Sequence, residues 1–188
     1  MRHCVIIEVA MKDPEKEIRC TGMALVAHPN LIDPNFRETV VLIVHHDEDG
    51  AFGLIINRPL RITLQEMARK LNLSWGGGTA PEHAWEGGPV ARDTVWCLHD
   101  GARGAGVTKD LGNGILFSSD AAAVRAFFLE PAGSYRIFLG YAGWAPRQLE
   151  AELAGGFWFL AEVDPSLVFR TPPDKCWERT LSTLGINP

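Results

Sequence analysis

The feature of this sequence that most constrains its fold is a pair of apolar segments separated by a short acidic turn. Residues 39–44 (TVVLIV) are almost all β-branched, which suits a strand buried on both faces. Residues 47–50 (DEDG) have the composition of a turn, and residues 51–56 form a second apolar segment. We therefore predict an antiparallel hairpin that ends at Arg58 and Pro59, because proline cannot donate a hydrogen bond to a sheet.

Further strands and helices are predicted along the rest of the chain, in no regular order. Apolar segments of strand length occur at residues 23–28, 94–99, 135–139 and 157–163. Helix-start signals occur at residues 63–66 (a TLQE capping box), Ser119, Pro146 and Asp174. Because strands and helices do not alternate regularly, we predict a single α+β domain with a mixed sheet.

Charge and hydropathy exclude some classes of function. The 188 residues carry a net charge of −5, and the 18 lysines and arginines are scattered rather than clustered. A protein that binds DNA directly usually presents a basic patch, so we disfavour nucleic acid as a partner. No apolar run approaches the roughly 20 residues that cross a bilayer, and residues 5–10 lack the features of a signal peptide. We expect a cytoplasmic protein with no membrane partner.

The cysteines and histidines predict neither a metal site nor a cofactor. The four cysteines are far apart, with no C-x-x-C pair and no histidine at metal-ligand spacing: Cys4, Cys20, Cys97 and Cys176. We expect them to be buried or idle thiols. His45 and His46 are adjacent at the end of a predicted strand, where their side chains point to opposite faces and cannot jointly hold one metal ion. One of them could hold a metal together with Asp47 or Asp49, but we favour a solvated strand end.

The sequence contains no standard catalytic motif. There is no G-x-S-x-G nucleophile elbow, no H-E-x-x-H, no Walker A sequence and no G-x-G-x-x-G. His99 follows a predicted strand and precedes Asp100, so it is the acid–base candidate for a hydrolase-type enzyme. Because no serine or cysteine is coupled to His99 in the sequence, we favour a non-catalytic protein.

Residues 139–153 (LGYAGWAPRQLEAEL) combine two glycines with two large aromatic residues where a strand is predicted to meet a helix. Gly140 and Gly143 allow a sharp turn, and Pro146 preorganises the first helical turn. Tyr141 and Trp144 can each bury on the order of 200 Å² while keeping one polar group. Two interpretations stay open: the corner anchors the core, which we favour, or it forms the floor of a ligand site.

The second interpretation predicts a pocket. Several glycine, polar and aromatic residues lie at the ends of predicted strands and would converge if those ends meet in space. Backbone amides, an arginine, an imidazole and aromatic walls suit a small anionic or nucleotide-like ligand. The candidate ligand-binding residues are Asn57, Arg58, Gly87, Gly88, His99, Tyr141 and Trp144.

Five separated segments of the chain, in this order, resemble the AlgH/YqgE family of bacterial proteins. They are GMALVAHPNLIDPNF (22–36), TVVLIVHHDEDGAFGLIINRP (39–59), WEGGPV (85–90), VWCLH (95–99) and LGYAGWAPRQLEAEL (139–153). A C-terminal tryptophan helix that ends in LGINP (184–188) matches as well. The resemblance covers residues 21–188 and leaves residues 1–20 as an N-terminal extension. Where the family corner reads G-W-G-x-G-Q-L-E, this chain has Ala145 and Arg147, so we expect any positive φ there to be relaxed.

The resemblance implies a compact single domain with a mixed, barrel-like sheet flanked by short helices. It supplies no activity, substrate, cofactor or catalytic residue, and the transcriptional-regulator label of AlgH says nothing about mechanism. We expect a binding or regulatory protein that acts through a protein partner or a small anionic ligand, as a monomer or a homodimer. A hydrolase that uses His99 and a regulator that binds DNA directly are the alternatives.

Overall fold

The computed structural model of the chain describes residues 19–76, 83–101, 106–130 and 133–187. The strands in these residues are β1 (Ala24–Ala27), β2 (Val40–Asp47), β3 (Gly50–Ile55), β4 (Pro59–Thr63), β5 (His83–Glu86), β6 (Val90–His99), β7 (Lys109–Asp110), β8 (Leu116–Ser118), β9 (Tyr135–Trp144) and β10 (Trp158–Ala161). The helices are α1 (Leu64–Lys70), α2 (Ala121–Leu129), α3 (Gln148–Ala154), α4 (Pro165–Phe169) and α5 (Pro173–Thr183). The predicted α+β class is confirmed. Residues 1–18 of the predicted N-terminal extension lie outside the described residues.

The strands form one sheet in which most neighbours are antiparallel. The path of hydrogen-bonded neighbours is β10-β1-β2-β3-β9-β6-β8-β7, and β5 joins it by pairing with β9 and with β4. The β5–β9 pair is parallel, so the predicted mixed sheet is confirmed. Within the described residues no pairing joins β10 to β7, so the sheet is open rather than closed like a barrel.

Strands β2 and β3 form the predicted hairpin. Asp47 pairs with Gly50 at the turn, and Val41 pairs with Ile55 at the other end. Both faces of the hairpin are buried, because the alternate side chains of β2 enter two different core clusters. The first cluster includes apolar side chains of α4 and α5, and the second includes Leu149 of α3. The β-branched run is therefore explained by burial on both sides.

Strand β9 differs from the prediction. The sequence suggested that a strand ends at residue 139 and that a sharp corner follows, whereas β9 continues from Tyr135 to Trp144. Gly140 has a φ of +71°, and the β6–β9 register shifts between Val90 and Val95. The glycine therefore kinks the strand instead of ending it. Beyond the kink β9 pairs with β3, so this single strand connects the two halves of the sheet.

Side chains at the helix ends confirm one predicted cap and correct two. Thr63 and Glu66 form the predicted capping box at α1. At α2 the cap is Asp120, whose carboxylate accepts from the N–H groups of Ala122 and Ala123, while the Ser119 hydroxyl pairs with Thr108. Helix α5 begins at Pro173, so Asp174 lies in its first turn and is not the cap.

Candidate functional site

An open groove of about 840 Å³ lies between the β2–β3 turn and strands β6 to β9. We call it the aromatic groove. Its floor is formed by Phe52, Trp96, Phe117 and Tyr141, its rim by His45, Asp47, Asp49, Thr108 and Lys109, and one wall by Trp144. The volume falls within the range of about 300–1,000 Å³ that is typical of small-molecule sites.

The four floor rings pack against one another, largely edge to face. The centroid of Phe52 lies 5.1 Å from that of Trp96 and 5.0 Å from that of Tyr141, and Phe117 lies 5.8 Å from Phe52. These spacings are favourable for aromatic pairs. Because the rings come from β3, β6, β8 and β9, the floor exists only when the sheet is assembled.

One floor residue has an unused hydrogen-bond donor. The indole N–H of Trp96 is buried and has no hydrogen-bond partner within the described residues. A buried donor normally has a partner, in the protein or in ordered water. The Trp96 N–H is therefore a polar group beside the groove whose hydrogen-bonding capacity is not filled by the part of the chain that the structure describes.

A chain of three ionisable side chains forms part of the rim. Lys109 Nζ lies 3.0 Å from His45 Nδ1, and His45 Nε2 lies 2.6 Å from Asp47 Oδ2. The backbone N–H of Asp49 and then the His45 side chain lower the pKa of the Asp47 carboxyl, so it stays ionised. Burial lowers the pKa of the Lys109 ammonium, and the Asp47 charge partly opposes this.

Trp144 is both a wall of the groove and a core anchor. Its indole N–H and that of Trp158 each donate a hydrogen bond of 2.8 Å to Glu152 Oε2, and Gln148 donates to the other oxygen of the same carboxylate. Phe36 stacks on the Trp144 ring with centroids 6.1 Å apart. Helix α3 therefore fixes the orientation of Trp144. The same residue anchors the core, as one interpretation of residues 139–153 has it, and lines a groove, as the other interpretation requires.

Gly87 and Gly88 bring strand β5 close to the kink of β9. The Gly87 N–H donates to Leu139 O, and its carbonyl accepts from the Ile55 N–H. A Cβ at Gly88 would lie 2.2 Å from the carbonyl carbon of Tyr141. The two glycines therefore allow the backbone after β5 to pack directly against the backbone of β9 at Leu139 and Tyr141.

Asn57 and Arg58 line a different groove of about 550 Å³, next to the start of α5. The Asn57 side chain accepts from the Val40 N–H and donates to Glu38 O. The Arg58 guanidinium donates to the carbonyls of three loop residues, Pro34, Asn35 and Arg37. Most polar atoms of these two side chains are used to hold the loop between β1 and β2.

His99 lies in neither groove. It pairs with Tyr135 at the opposite end of β9 from Trp144, nine residues away, which is about 30 Å along a strand. Its Nε2 lies 3.0 Å from Ser118 Oγ, its Nδ1 has no partner within the described residues, and burial lowers its pKa against the smaller opposing effect of Asp100. Of the seven candidate residues, the structure thus brings together Tyr141, Trp144 and the supporting Gly87 and Gly88. Ligand binding by any of them stays a prediction.

Comparisons with known proteins agree on one family. The model of the AlgH-like family (DUF179) matches residues 24–188. The chain belongs to the AlgH-like family. A UPF0301 protein of Myxococcus xanthus is 39% identical over 164 residues, covering 87% of this chain and 90% of the relative. A UPF0301 protein of Ralstonia pickettii is 33% identical and covers 95% of both chains.

Two solved structures have the same fold as this AlgH-like chain. The solution structure of the AlgH protein from Pseudomonas aeruginosa has a TM-score of 0.74 at 32% identity, with 93% of this chain and 94% of that chain covered. A crystal structure of a Corynebacterium diphtheriae protein has a TM-score of 0.72 at 24% identity, with 93% and 92% covered. The second likeness shows the fold alone.

Several groove residues of this AlgH-like chain were not predicted from its sequence. The sequence placed His45 at a strand end and Asp47 in a turn, with a shared metal site as the disfavoured alternative. Lys109 lies in a strand of two residues within a glycine-rich region. Phe52 and Trp96 carried a weak signal, since each is an aromatic residue in a short, largely apolar strand segment. No local pattern could indicate that these side chains meet, because they are far apart in the sequence.

Two further observations concern metal ions and the membrane. Within the described residues, no group of three or more histidine, cysteine, aspartate or glutamate side chains is arranged to hold a metal ion. None of the described helices has the length and apolar composition that a membrane crossing requires.

Proposed function

We propose that the protein is a non-catalytic binding protein whose aromatic groove holds a small ligand with a planar ring and an anionic group. The observation that carries this proposal is the combination of four aromatic floor rings with a rim lysine in one groove of about 840 Å³. Planar aromatic surface gives a ring-bearing ligand a favourable stacking partner. A protein partner would then bind the ligand-bound and the ligand-free forms of the protein with different affinity.

The rim supports an anionic group at one end of the ligand. A lysine ammonium has three N–H donors. Lys109 uses one on His45, and within the described ranges the others have no hydrogen bond and can serve a ligand. The Asp47 carboxylate is already held by His45 and by the Asp49 N–H. The Asp49 carboxylate also lines the groove, and its charge weakens the binding of an anion.

A pair of fluorescent probes separates stacking from charge recognition. 8-Anilinonaphthalene-1-sulfonate is planar and anionic, and N-phenyl-1-naphthylamine has the same rings without the sulfonate. Lys109→Met should weaken binding of the sulfonate about tenfold or more, since a charged hydrogen bond contributes about 1.5–3 kcal/mol. Binding of the neutral probe should change little.

Two variants serve as controls for this experiment. Lys175→Met removes an exposed lysine that lies on α5, away from the aromatic groove, and should leave both probes unaffected. Asp49→Asn should strengthen binding of the sulfonate about twofold, as expected for an exposed charge. Equal losses for the charged and the neutral probe in Lys109→Met would refute the role of Lys109.

A hydrolase is the second candidate function, because Ser118 Oγ lies 3.0 Å from His99 Nε2. A serine beside a histidine is the start of a nucleophile–base pair. Against it, both residues are buried, with 3% of His99 and 1% of Ser118 exposed, and no carboxylate within the described residues orients His99 Nδ1. Ester hydrolysis that disappears in both Ser118→Ala and His99→Ala would favour this second function.

We also propose that the protein acts in the cytoplasm without direct contact to DNA. Three cysteines of the described chain, Cys20, Cys97 and Cys176, are buried and unpaired, which is typical of proteins kept in a reducing compartment. The net charge of −5 disfavours a phosphate backbone as a partner. Retention of DNA in a gel-shift experiment at low salt would contradict this part of the proposal.

A further inference from the structure

We propose that Lys109 captures the carbonyl group of a ligand in the aromatic groove as an imine, with His45 as the base. The inference rests on the proposed function, because it assigns the ligand class of the same groove. It goes beyond that function, because it makes the binding covalent and reversible. Three observations support it: the hydrogen-bond chain at the rim, the partial burial of Lys109, and the position of Lys109 on the groove.

The hydrogen-bond chain assigns a donor and an acceptor to each of the two contacts of His45 when Lys109 is an ammonium. A lysine ammonium can only donate, so the contact of 3.0 Å makes His45 Nδ1 the acceptor. The proton of the neutral imidazole then lies on Nε2, where it is donated to Asp47 Oδ2 at 2.6 Å. A nucleophile, a base and a carboxylate that orients the base are thus arranged in sequence, as activated nucleophiles require.

The Asp47 carboxylate stabilises the positive charge on either partner of the proton transfer, but it contacts His45 directly, at 2.6 Å. When His45 takes a proton from Lys109, the resulting imidazolium faces an ionised carboxylate, which stabilises it. Burial lowers the pKa of the Lys109 ammonium, which makes the neutral amine more accessible than that of an exposed lysine. The neutral amine is the form that attacks a carbonyl.

The chemical steps balance without any further reactant. After His45 has taken one proton, the nitrogen lone pair of Lys109 forms a bond to the carbonyl carbon. One of the two protons left on the nitrogen moves to the carbonyl oxygen, which becomes the hydroxyl of a carbinolamine. The proton held by His45 is then transferred to that hydroxyl, which leaves as water while the nitrogen forms a double bond to carbon. One lysine ammonium and one carbonyl give one protonated imine and one water, with no change of oxidation state.

The groove indicates which carbonyl compounds fit. The floor rings favour a ligand with a planar aromatic ring. In the non-covalent complex that precedes imine formation, the rim ammonium favours a ligand carboxylate next to the carbonyl group. After the proton transfer, the His45 imidazolium takes over the pairing with that carboxylate. An aromatic ring joined to a 2-oxo carboxylate combines the planar ring, the carboxylate and the reactive carbonyl in one small molecule. The predicted ligand class is therefore the aromatic 2-oxo acids.

The test is reductive trapping with phenylglyoxylate, a 2-oxo acid that cannot enolise. Sodium cyanoborohydride reduces an imine to a stable amine, which peptide mass spectrometry locates among the five lysines of the chain. We expect one adduct, on Lys109, in the full-length protein. Mandelate, which has a hydroxyl in place of the carbonyl, should give none.

Variants separate the nucleophile from the base. Lys109→Arg should abolish the adduct, and Lys175→Arg should leave it unchanged. His45→Gln should slow trapping about a hundredfold at pH 7, as expected for the loss of a general base. The trapping rate of His45→Gln relative to the wild type at the same pH should recover near pH 10, where hydroxide removes the ammonium proton. Circular dichroism confirms that each variant is folded.

The outcomes distinguish this inference from the proposed function. If the wild type binds the naphthalene sulfonate but gives no adduct, or gives adducts equally on Lys70 and Lys175, carbonyl capture is refuted and the proposed function stands. If neither the sulfonate nor phenylglyoxylate binds, the proposed function fails and the inference fails with it. A His45→Gln protein that is trapped as fast as the wild type at pH 7 would refute the role of His45.

Discussion

At the scale of single residues, Arg147 holds a backbone conformation that usually belongs to glycine. Its φ is +66°, and no side-chain hydrogen bond caps helix α3 at this position. A left-handed conformation costs a residue with a Cβ roughly 1–2 kcal/mol. The family pattern has glycine here, and we expected the arginine to relax the turn. The turn is instead retained, because Trp144 and Leu149 on either side are buried.

Replacing Arg147 by glycine should therefore stabilise the protein. The strain relieved exceeds the added entropy of the unfolded chain, and we expect a gain of about 0.5–1 kcal/mol in the free energy of unfolding. Urea denaturation measures it. Arg170→Gly, at an exposed helix end where φ is −120°, relieves no such strain and should not stabilise. An unchanged or lower stability of Arg147→Gly would show that the turn is not strained.

Burial of His99 predicts a pH dependence of stability. Its pKa is lowered in the folded state, so below about pH 6.5 the unfolded chain binds more protons. The stability gained by keeping His99 neutral is present above that pH and is lost as the pH falls.

Between pH 7.5 and 5.5 the wild type should therefore lose stability more steeply than His99→Gln. The difference can reach about 1.4 kcal/mol per pH unit, and urea denaturation at several pH values detects it. The carboxyl groups with lowered pKa, such as Asp164, act only at lower pH. Parallel pH profiles for wild type and His99→Gln would contradict this account.

At the scale of elements, local patterns predicted six of the ten described strands. They missed the short strands β4, β5, β7 and β8 and placed the end of β9 too early. The β2–β3 hairpin and the α1 capping box were predictable, because their signals lie within a few neighbouring residues. The continuation of β9 through Gly140 was not, because a glycine can end a strand or kink it. Whether β9 ends or is kinked at Gly140 depends on its pairing with β3 and β6, and the local sequence does not contain that pairing.

The close approach of β5 to β9 makes a prediction for Gly88. An alanine Cβ would overlap the Tyr141 carbonyl at a φ of +154°, and overpacking and strain together should cost more than about 3 kcal/mol. Gly156→Ala is the matched control, since its φ is +72° and, apart from its chain neighbours, no atom of the described residues lies within 4 Å of the added carbon. It should lose only about 1–2 kcal/mol in urea denaturation. Equal losses in the two variants would show that β9 can move away from Gly88.

At the scale of the whole molecule, the fold brings together residues that sequence reasoning could not connect. Tyr141 and Trp144 were predicted as candidates because their aromatic residues and glycines stand out in a short segment. His45, Trp96 and Lys109 come from three distant strands and meet only when the sheet is assembled. The predicted pocket also included Asn57, Arg58 and His99, which the sheet directs to other places. Strand ends alone therefore do not define a site.

The central claim, that the aromatic groove is the ligand site, is tested most directly by the indole N–H signals of the six tryptophans. They can be followed in a ¹H–¹⁵N spectrum while 8-anilinonaphthalene-1-sulfonate is added. Trp96 and Trp144 line the groove, so their signals should shift with increasing ligand, while those of Trp75, Trp85 and Trp177 stay in place. Shifts at Trp177, which lines the other groove, without shifts at Trp96 and Trp144 would contradict the claim.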